Sequence, residues 1–473
     1  MIYHHLFSSH KRQETVSVGL IGAGHFGTAV LTQSMDIPLL KLPIIAEQNP
    51  RVARLAFKRA GIADDDIVEA DGRAEALKAM EMGKRVVVGD PLILMDLPID
   101  VVAEGTGQPE AGARHAYEAI RHGKHVAMIT KETDSVVGPV LNYMARKAGV
   151  VYTPVDGDQH GLLMGMVAWA RTLGLEILAA GKARDAEYVH DRDKGTVTCE
   201  ADGITVLDTI TVKLAAADLW ALEPISGGKA KDHISARREI LADLPQPGGF
   251  DYCEIVIAAN ATGLAPDIAD LHQPILRIPE ISEALCPAGE GGILQSPGAV
   301  EVVTCLRHPH EAGMGGGVYL VVSCKTEYSQ MILTTKGQIP NSLGSAALIY
   351  RPYHLCGVET PISILCAGLL GISTGSDVYE PRFDMVQKAA RDFKAGEILG
   401  DDHDPDLKAS LIPAQRLGGS SPLPAHMLNG NRLKCDVSAG TVFTCDMVVE
   451  PSDSVLWQLR RKQDEVFGGK SQA

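Results

Sequence analysis

The stretch VGLIGAGHFGTAVLTQ (residues 18–33) joins an apolar run, a glycine-rich turn and a second run whose apolar residues recur at helical spacing. Strand, tight turn and helix in that order make a phosphate-binding βα unit. Gly22, Gly24 and Gly27 form G-x-G-x-x-G in it, with His25 and Phe26 between the last two. The first glycine permits the turn, the second lets the backbone approach a pyrophosphate, and the third allows close helix packing beneath it. Glu47 ends the next apolar run 20 residues after Gly27, where a carboxylate would hold the adenine ribose. Its charge favours NAD over NADP; Arg51 close behind could offset it, so the residues alone leave that choice open.

Outward from this unit, apolar runs and helical patterns alternate as a doubly wound sheet requires. Strands are predicted at Val16–Ile21, Leu42–Ala46, Arg85–Val88, Val101–Ala103, His125–Ile129 and Val150–Thr153. Asn49-Pro50 opens a helix that Gly61 closes, Pro109 opens one that Gly123 closes, and Thr133 or Asp134 caps a third. From Asp156 onward longer β-like runs replace this rhythm: GITVLDTITVKL, YCEIVIAAN, AVEVVTCL and GVYLVVSCKT. Near the end DFKAGEILGDD and DVSAGTVFTCD repeat one phrase, a polar lead, an Ala-Gly turn and a short strand. The expected fold is α/β: a Rossmann-type dinucleotide domain over 1–155, an α+β substrate and oligomerisation domain over 156–380, and a small β-rich domain over 381–473. The residues from Arg460 on read as frayed.

The 473 residues suffice for two or three domains, and a net charge of -15 opposes broad contact with nucleic acid or anionic lipid. Nine cysteines with no C-x-x-C pair suggest neither a disulfide framework nor a zinc knuckle, and fit a reducing cytoplasm. No apolar stretch reads as a signal peptide or a membrane span.

Candidate chemistry gathers where strands end. Glu104-Gly105-Thr106-Gly107 and Lys131-Glu132 follow neighbouring strands, placing Thr106 and Gly107 on the nicotinamide side and Lys131 near nicotinamide ribose or substrate. In TPVDGDQHG, Asp156 and Asp158 could bind a divalent cation or order a hydroxyl network; Asp158 could equally cap the helix that follows. Lys182, at the end of an apolar strand, suits polarisation of an oxygen that gains charge. Lys229, Asn341, Ser342 and Arg351 form a mixture of cationic, amide and hydroxyl donors suited to a phosphate. His354 reads equally as a core histidine or a ligand contact.

GLIGAGHFG, VVAEGTGQPEAGARHAYEAIRHGKHV and ITKE, in that order, resemble the nucleotide-binding domain of homoserine dehydrogenases over about the first 155 residues. The second domain departs from that pattern, with AAGKARD in place of the glycine-asparagine-glycine-threonine strand. KAGEIL and SAGTVF resemble a SAF domain. Together with VDGDQHG and YRPYHLCGVE, the whole chain is similar to the 1-deoxy-D-xylulose 5-phosphate reductoisomerase-like enzymes of some bacteria. The resemblance implies an NADPH-dependent, fosmidomycin-sensitive homodimer that makes 2-C-methyl-D-erythritol 4-phosphate in isoprenoid precursor synthesis, with Mg2+ or Mn2+ at Asp156 and Asp158 and a phosphorylated sugar as substrate. The alternative is an NAD(P)-dependent dehydrogenase of a homoserine-like amino alcohol, polyol or sugar acid.

Overall fold

The computed structural model describes residues 3–9, 15–201, 203, 206–376 and 378–468. By packing they form two compact units, the first within 1–161, 355–404 and 413–473, the second within 162–354 and 405–412.

In the first unit, β1 (Val16–Ile21), β2 (Leu40–Ala46), β3 (Ile67–Glu69), β4 (Arg85–Val88), β5 (Val101–Glu104), β6 (His125–Met128) and β7 (Tyr152–Pro154) make one parallel sheet. Its order is β3-β4-β2-β1-β5-β6-β7. Val86, Val87, Val88, Val101, Val102 and Ala103 are all buried, as strands covered on both faces require. The order reverses at β1, so the loops after β1 and β5 flank the switch point where such sheets bind ligands.

Around these strands run α1 (Tyr3–Ser9), α2 (His25–Ser34), α3 (Pro50–Arg59), α4 (Arg73–Glu81), α5 (Pro109–Arg121) and α6 (Lys131–Ala148). The Asn49 side chain caps α3 by accepting from Arg51 N at 3.2 Å. Helix α6 starts one turn before the expected cap, because Thr133 and Asp134 are buried and used elsewhere. The Thr133 hydroxyl donates to Pro109 O at 3.0 Å, and Asp134 accepts from the Tyr152 hydroxyl at 2.7 Å.

The second unit is built on a mixed sheet, which the chain enters after α7 (Gln159–Thr172). Its strands are β8 (Ile177–Ala183), β9 (Tyr188–Asp191), β10 (Thr196–Cys199), β11 (Ile210–Lys213), β12 (Ala265–Pro266), β13 (Ile275–Leu276), β14 (Ala299–Arg307), β15 (Val318–Ser323), β16 (Ile339–Pro340) and β17 (Ala346–Arg351). The main path runs β11-β10-β9-β14-β8-β15-β17-β16. Helices α8 (Ala230–Ile240), α9 (Gly249–Thr262), α10 (Ile281–Ala284) and α11 (Glu327–Thr334) accompany it. The run YCEIVIAAN, expected as β-like, lies within α9. A continuous apolar run does not reveal its period, and here Asp251 accepts from Gly248 N at 3.1 Å at the head while left-handed Gly263 ends the helix. In GITVLDTITVKL only Ile210–Lys213 is a strand; Ile204 and Thr205 lie outside the described residues.

The chain then returns to the first unit with α12 (Thr360–Leu365) and, near its end, α13 (Val455–Phe467). The two repeated phrases pair with each other: Phe393 and Val437 exchange backbone hydrogen bonds of 2.8 and 3.0 Å, and Gly396 and Gly440 turn at φ 88° and 83°. The stretch from Arg460, expected to fray, is helical as far as Phe467 and anchored. Arg460 is 1% exposed and its guanidinium meets Asp384 at 2.9 Å, while Gln463 donates to Val136 O at 3.0 Å on α6. Residues 469–473 lie outside the described residues. Of the small β-rich domain expected over 381–473, residues up to 404 and from 413 on fall in the same compact unit as the parallel sheet, and 405–412 in the second unit.

Candidate functional site

In the first unit the glycine loop is built as its sequence requires. Gly22 has φ +89°, and a Cβ there would lie 2.5 Å from Gly105 O; a Cβ on Gly27 would meet Gly22 O at 2.3 Å. Gly24 has open space around it and precedes α2 without a side-chain cap, which leaves the first helical amides for an anion. These features fit a dinucleotide pyrophosphate. Gly24 and His25 border a cleft of about 650 Å³ that continues along Thr28, Thr32 and Arg59. Phe26 packs its ring on the core of this unit.

Glu47 braces the loop: its carboxylate accepts from Ala23 N at 3.0 Å and from Asn49 N at 3.1 Å. A carboxylate has about four acceptor sites, so a ribose hydroxyl can still be accommodated. Arg51 is exposed in the first turn of α3. Across the switch point Thr106 donates to buried Glu104 at 2.7 Å, and Gly107 N donates to Thr130 Oγ1 at 3.0 Å. Glu104 also lies 3.1 Å from His115 Nδ1. It was not singled out from the sequence, although it ends β5 and its apolar surroundings mark a buried acid.

Lys131 is the first residue of α6 rather than part of a loop. Asp156 follows β7, its amide donating to Ser363 Oγ at 2.8 Å and its carbonyl accepting from Thr360 Oγ1 at 2.9 Å. Burial, and next the Asp156 charge, raise the Tyr3 phenol above its ordinary range. Asp158 accepts from Gln159 N, the first amide of α7, at 2.8 Å; its carboxylate is 3.9 Å from His160 Nδ1. Among the described residues no group of three or more His, Cys, Asp or Glu side chains is arranged to hold a metal ion.

The second unit holds a buried charge cluster. Lys182, 1% exposed on β8, lies 2.9 Å from Asp251 and also contacts Glu254. Asp251 and Glu254 are one turn apart on α9, and Arg184 reaches the other Asp251 oxygen at 3.6 Å. Burial alone would raise the Asp251 carboxyl, but Lys182 and Arg184 outweigh it and hold it below its ordinary range. The i, i+3 spacing was visible in the sequence, but it has meaning only once the run is read as a helix.

Beside this cluster Asp185 keeps 37% of its side chain exposed and lies 3.9 Å from His354 Nδ1. Desolvation raises its carboxyl, Glu254 and Asp251 add to the rise, and Lys182 and His354 oppose it. A carboxyl held above its ordinary range is a better proton acceptor than a free carboxylate. Lys182 and Arg351 both register with Val318 of β15, which puts them on one face of the sheet. Two strand spacings separate them, about 10 Å. The Arg351 guanidinium stacks 4.5 Å from the centre of the Tyr353 ring.

The other expected phosphate ligands are placed differently. Ser342 gives its amide and hydroxyl to Glu283 at 2.6 and 2.8 Å. Asn341 is 4% exposed and spans its own turn, donating to Ser345 Oγ at 3.0 Å and accepting from Ala346 N at 3.1 Å. A carboxylate partner and a closed turn take both out of the phosphate role. Lys229 is exposed at the head of α8, in the glycine loop that approaches Ser342.

Comparison with known proteins gives three results. Residues 247–360 match the family described as oxidoreductase DRL, catalytic domain. That segment carries Asp251, Glu254, Arg351 and His354. The chain is 28% identical over 128 residues to 1-deoxy-D-xylulose 5-phosphate reductoisomerase of Clostridium perfringens, covering 27% of this chain and 31% of that protein. The match thus spans about a third of the curated relative. Among solved structures, a DOX-P reductoisomerase with fosmidomycin and magnesium is similar at 16% identity and a TM-score of 0.27, over 36% of this chain and 46% of that one. Scyllo-inositol dehydrogenase from Lactobacillus casei is similar at 14% identity and the same TM-score of 0.27, over 36% and 46%. The oxidoreductase class expected from the sequence agrees with the catalytic-domain match.

Proposed function

We propose that the protein is an NADPH-dependent reductoisomerase that converts 1-deoxy-D-xylulose 5-phosphate to 2-C-methyl-D-erythritol 4-phosphate and works as a homodimer in the cytoplasm. The observation that carries this reading is the match of residues 247–360 to an oxidoreductase catalytic domain, on the segment that supplies both acidic partners of Lys182.

The glycine loop, Glu47 and the Thr106-Gly107 turn hold the dinucleotide, which when bound supplies a hydride. Lys182 offers a compensated positive charge to the ketose oxygen. Asp185, raised by desolvation and flanked by His354, takes the proton of a substrate hydroxyl. One carbon–carbon bond breaks and another forms, leaving a branched aldehyde. Hydride and a proton then reduce that aldehyde to the alcohol. Arg351 is the phosphate ligand that the geometry favours, with exposed Lys229 as its companion. The reading is tested by incubating the purified protein with the ketose phosphate and NADPH and identifying the product by carbon NMR: the branched phosphate supports it, and recovery of unchanged ketose with folded, NADPH-binding protein overturns it.

A further inference from the structure

Three buried side chains of the first unit belong to none of the sites above. His426 Nε2 lies 3.1 Å from Asp402, and its Nδ1 lies 2.8 Å from the Ser135 hydroxyl. Their exposures are 2%, 6% and 6% for His426, Asp402 and Ser135. Ser135 sits on α6 four residues after Lys131, hence on the same helical face. Asp402 closes the first repeated phrase, and His426 lies in the segment between the two. The C-terminal third thus delivers an acid and an imidazole to the head of the helix that begins with Lys131.

A serine, histidine and aspartate in sequence also suggest nucleophilic catalysis. Here the hydroxyl lies inside a helix and is bonded to Glu132 O at 3.1 Å, and it does not line the neighbouring cavity of about 420 Å³ to which His426 contributes. The trio therefore acts on its neighbours. Burial opposes ionisation of Asp402, but hydrogen bonding and charge from His426, then His403 and Lys131, hold its carboxyl below the ordinary range. Glu132 is raised by desolvation, which Lys131 and His426 counter.

We propose that Asp402, held by His426, which Ser135 in turn anchors to α6, is a positioning residue that fixes the Lys131 ammonium at the head of α6. The inference rests on the placement of Lys131 beside the cofactor or substrate. The groups that face the pair are Lys131, Glu132 and Ser135 from α6 and His403 beside Asp402. Glu110 of α5 borders the same cavity as His426 but is occupied at the head of α13, where Val455 N donates to it at 2.7 Å.

The test is trace acetylation of the full chain across pH, with Lys131 and the exposed Lys408 quantified by peptide mass spectrometry. In the unaltered protein the reactivity midpoint of Lys131 lies above that of Lys408; a midpoint at or below it overturns the proposal. Asp402→Asn removes the anion and lowers the Lys131 midpoint by about one pH unit, whereas His426→Asn keeps the anion and leaves the midpoint in place or raises it. A fold defect would move Lys131 the same way in both variants, and that outcome, or no movement in either, also overturns the proposal. These readouts need no substrate, so they stand or fall separately from the reductoisomerase reading. Where turnover is measurable, Asp402→Asn shifts a limb of its pH profile.

Discussion

Alanine at Gly22 and at Gly24 should separate folding from cofactor binding, two residues apart in one loop. Gly22 is left-handed at φ +89°, and its new Cβ would sit 2.5 Å from Gly105 O and 2.9 Å from Gly105 C. The backbone conformation costs alanine about 1–2 kcal/mol, and forcing apart the β1 and β5 loops adds about 1–3 kcal/mol. Gly24 has φ -66°, ψ -163° and no heavy atom within 4 Å of a Cβ, so alanine there leaves stability within about 0.5 kcal/mol. That Cβ would nevertheless occupy the path by which the backbone approaches pyrophosphate, weakening NADPH binding at least about tenfold, or 1.4 kcal/mol. Urea denaturation followed on the first unit, with NADPH fluorescence titration on each variant, reads both quantities. Gly24→Ala binding NADPH like the parent, or destabilising as much as Gly22→Ala, would refute these roles.

Lys182→Met leaves two carboxylates side by side in the interior, so it should abolish turnover and destabilise by about 3–5 kcal/mol in denaturant titration; an active, stable variant would remove Lys182 from the mechanism. Steady-state kinetics should show Arg351→Ala raising the substrate KM about 10- to 100-fold, consistent with about 1.5–3 kcal/mol for a charged hydrogen bond, while Ser342→Ala leaves KM unchanged because its hydroxyl serves Glu283. Burial pushes Asp134 up to about 7, against hydrogen bonds from Tyr152 and Tyr379. Its folded form binds a proton that the unfolded chain releases near pH 4, so its stabilising contribution is complete below about pH 4 and is lost as pH rises through about 7. The difference is on the order of 4 kcal/mol; Asp134→Asn should flatten the unfolding midpoint between about pH 4 and 7, and an unchanged slope would contradict the assignment. Arg460→Ala, which strands Asp384 in the interior, should lower stability by about 3–5 kcal/mol, a loss visible by thermal denaturation that a frayed tail would not show.

Much of the first unit was legible because glycine and proline punctuate it. Gly22, Asn49-Pro50, Gly61, Pro109 and Gly123 fall at its turns and caps, and β1 begins and ends where its apolar run does. Helix α9 was not legible as a helix, since a segment buried on all sides has no amphipathic period. That misreading hid Asp251 and Glu254, and with them the partners of Lys182. Arg460 was misread because its charge suggests solvent, while its partner Asp384 is remote in sequence. Ser342 and Asn341 have the chemistry of phosphate ligands, and only geometry reveals that Glu283 and a closed turn occupy them. The Ser135 and His426 contact joins residues 291 positions apart, a distance over which no local pattern operates.

NADPH oxidation with purified protein and 1-deoxy-D-xylulose 5-phosphate, run with and without magnesium or manganese, separates a reductoisomerase from a dehydrogenase. Fosmidomycin serves as the control, and a parallel panel offers NAD(P)+ with polyols, sugar acids and homoserine. A reductoisomerase gives fosmidomycin-sensitive turnover on the ketose phosphate alone. Turnover confined to the alcohol panel, by protein that binds cofactor normally, would contradict that reading and make the protein a dehydrogenase.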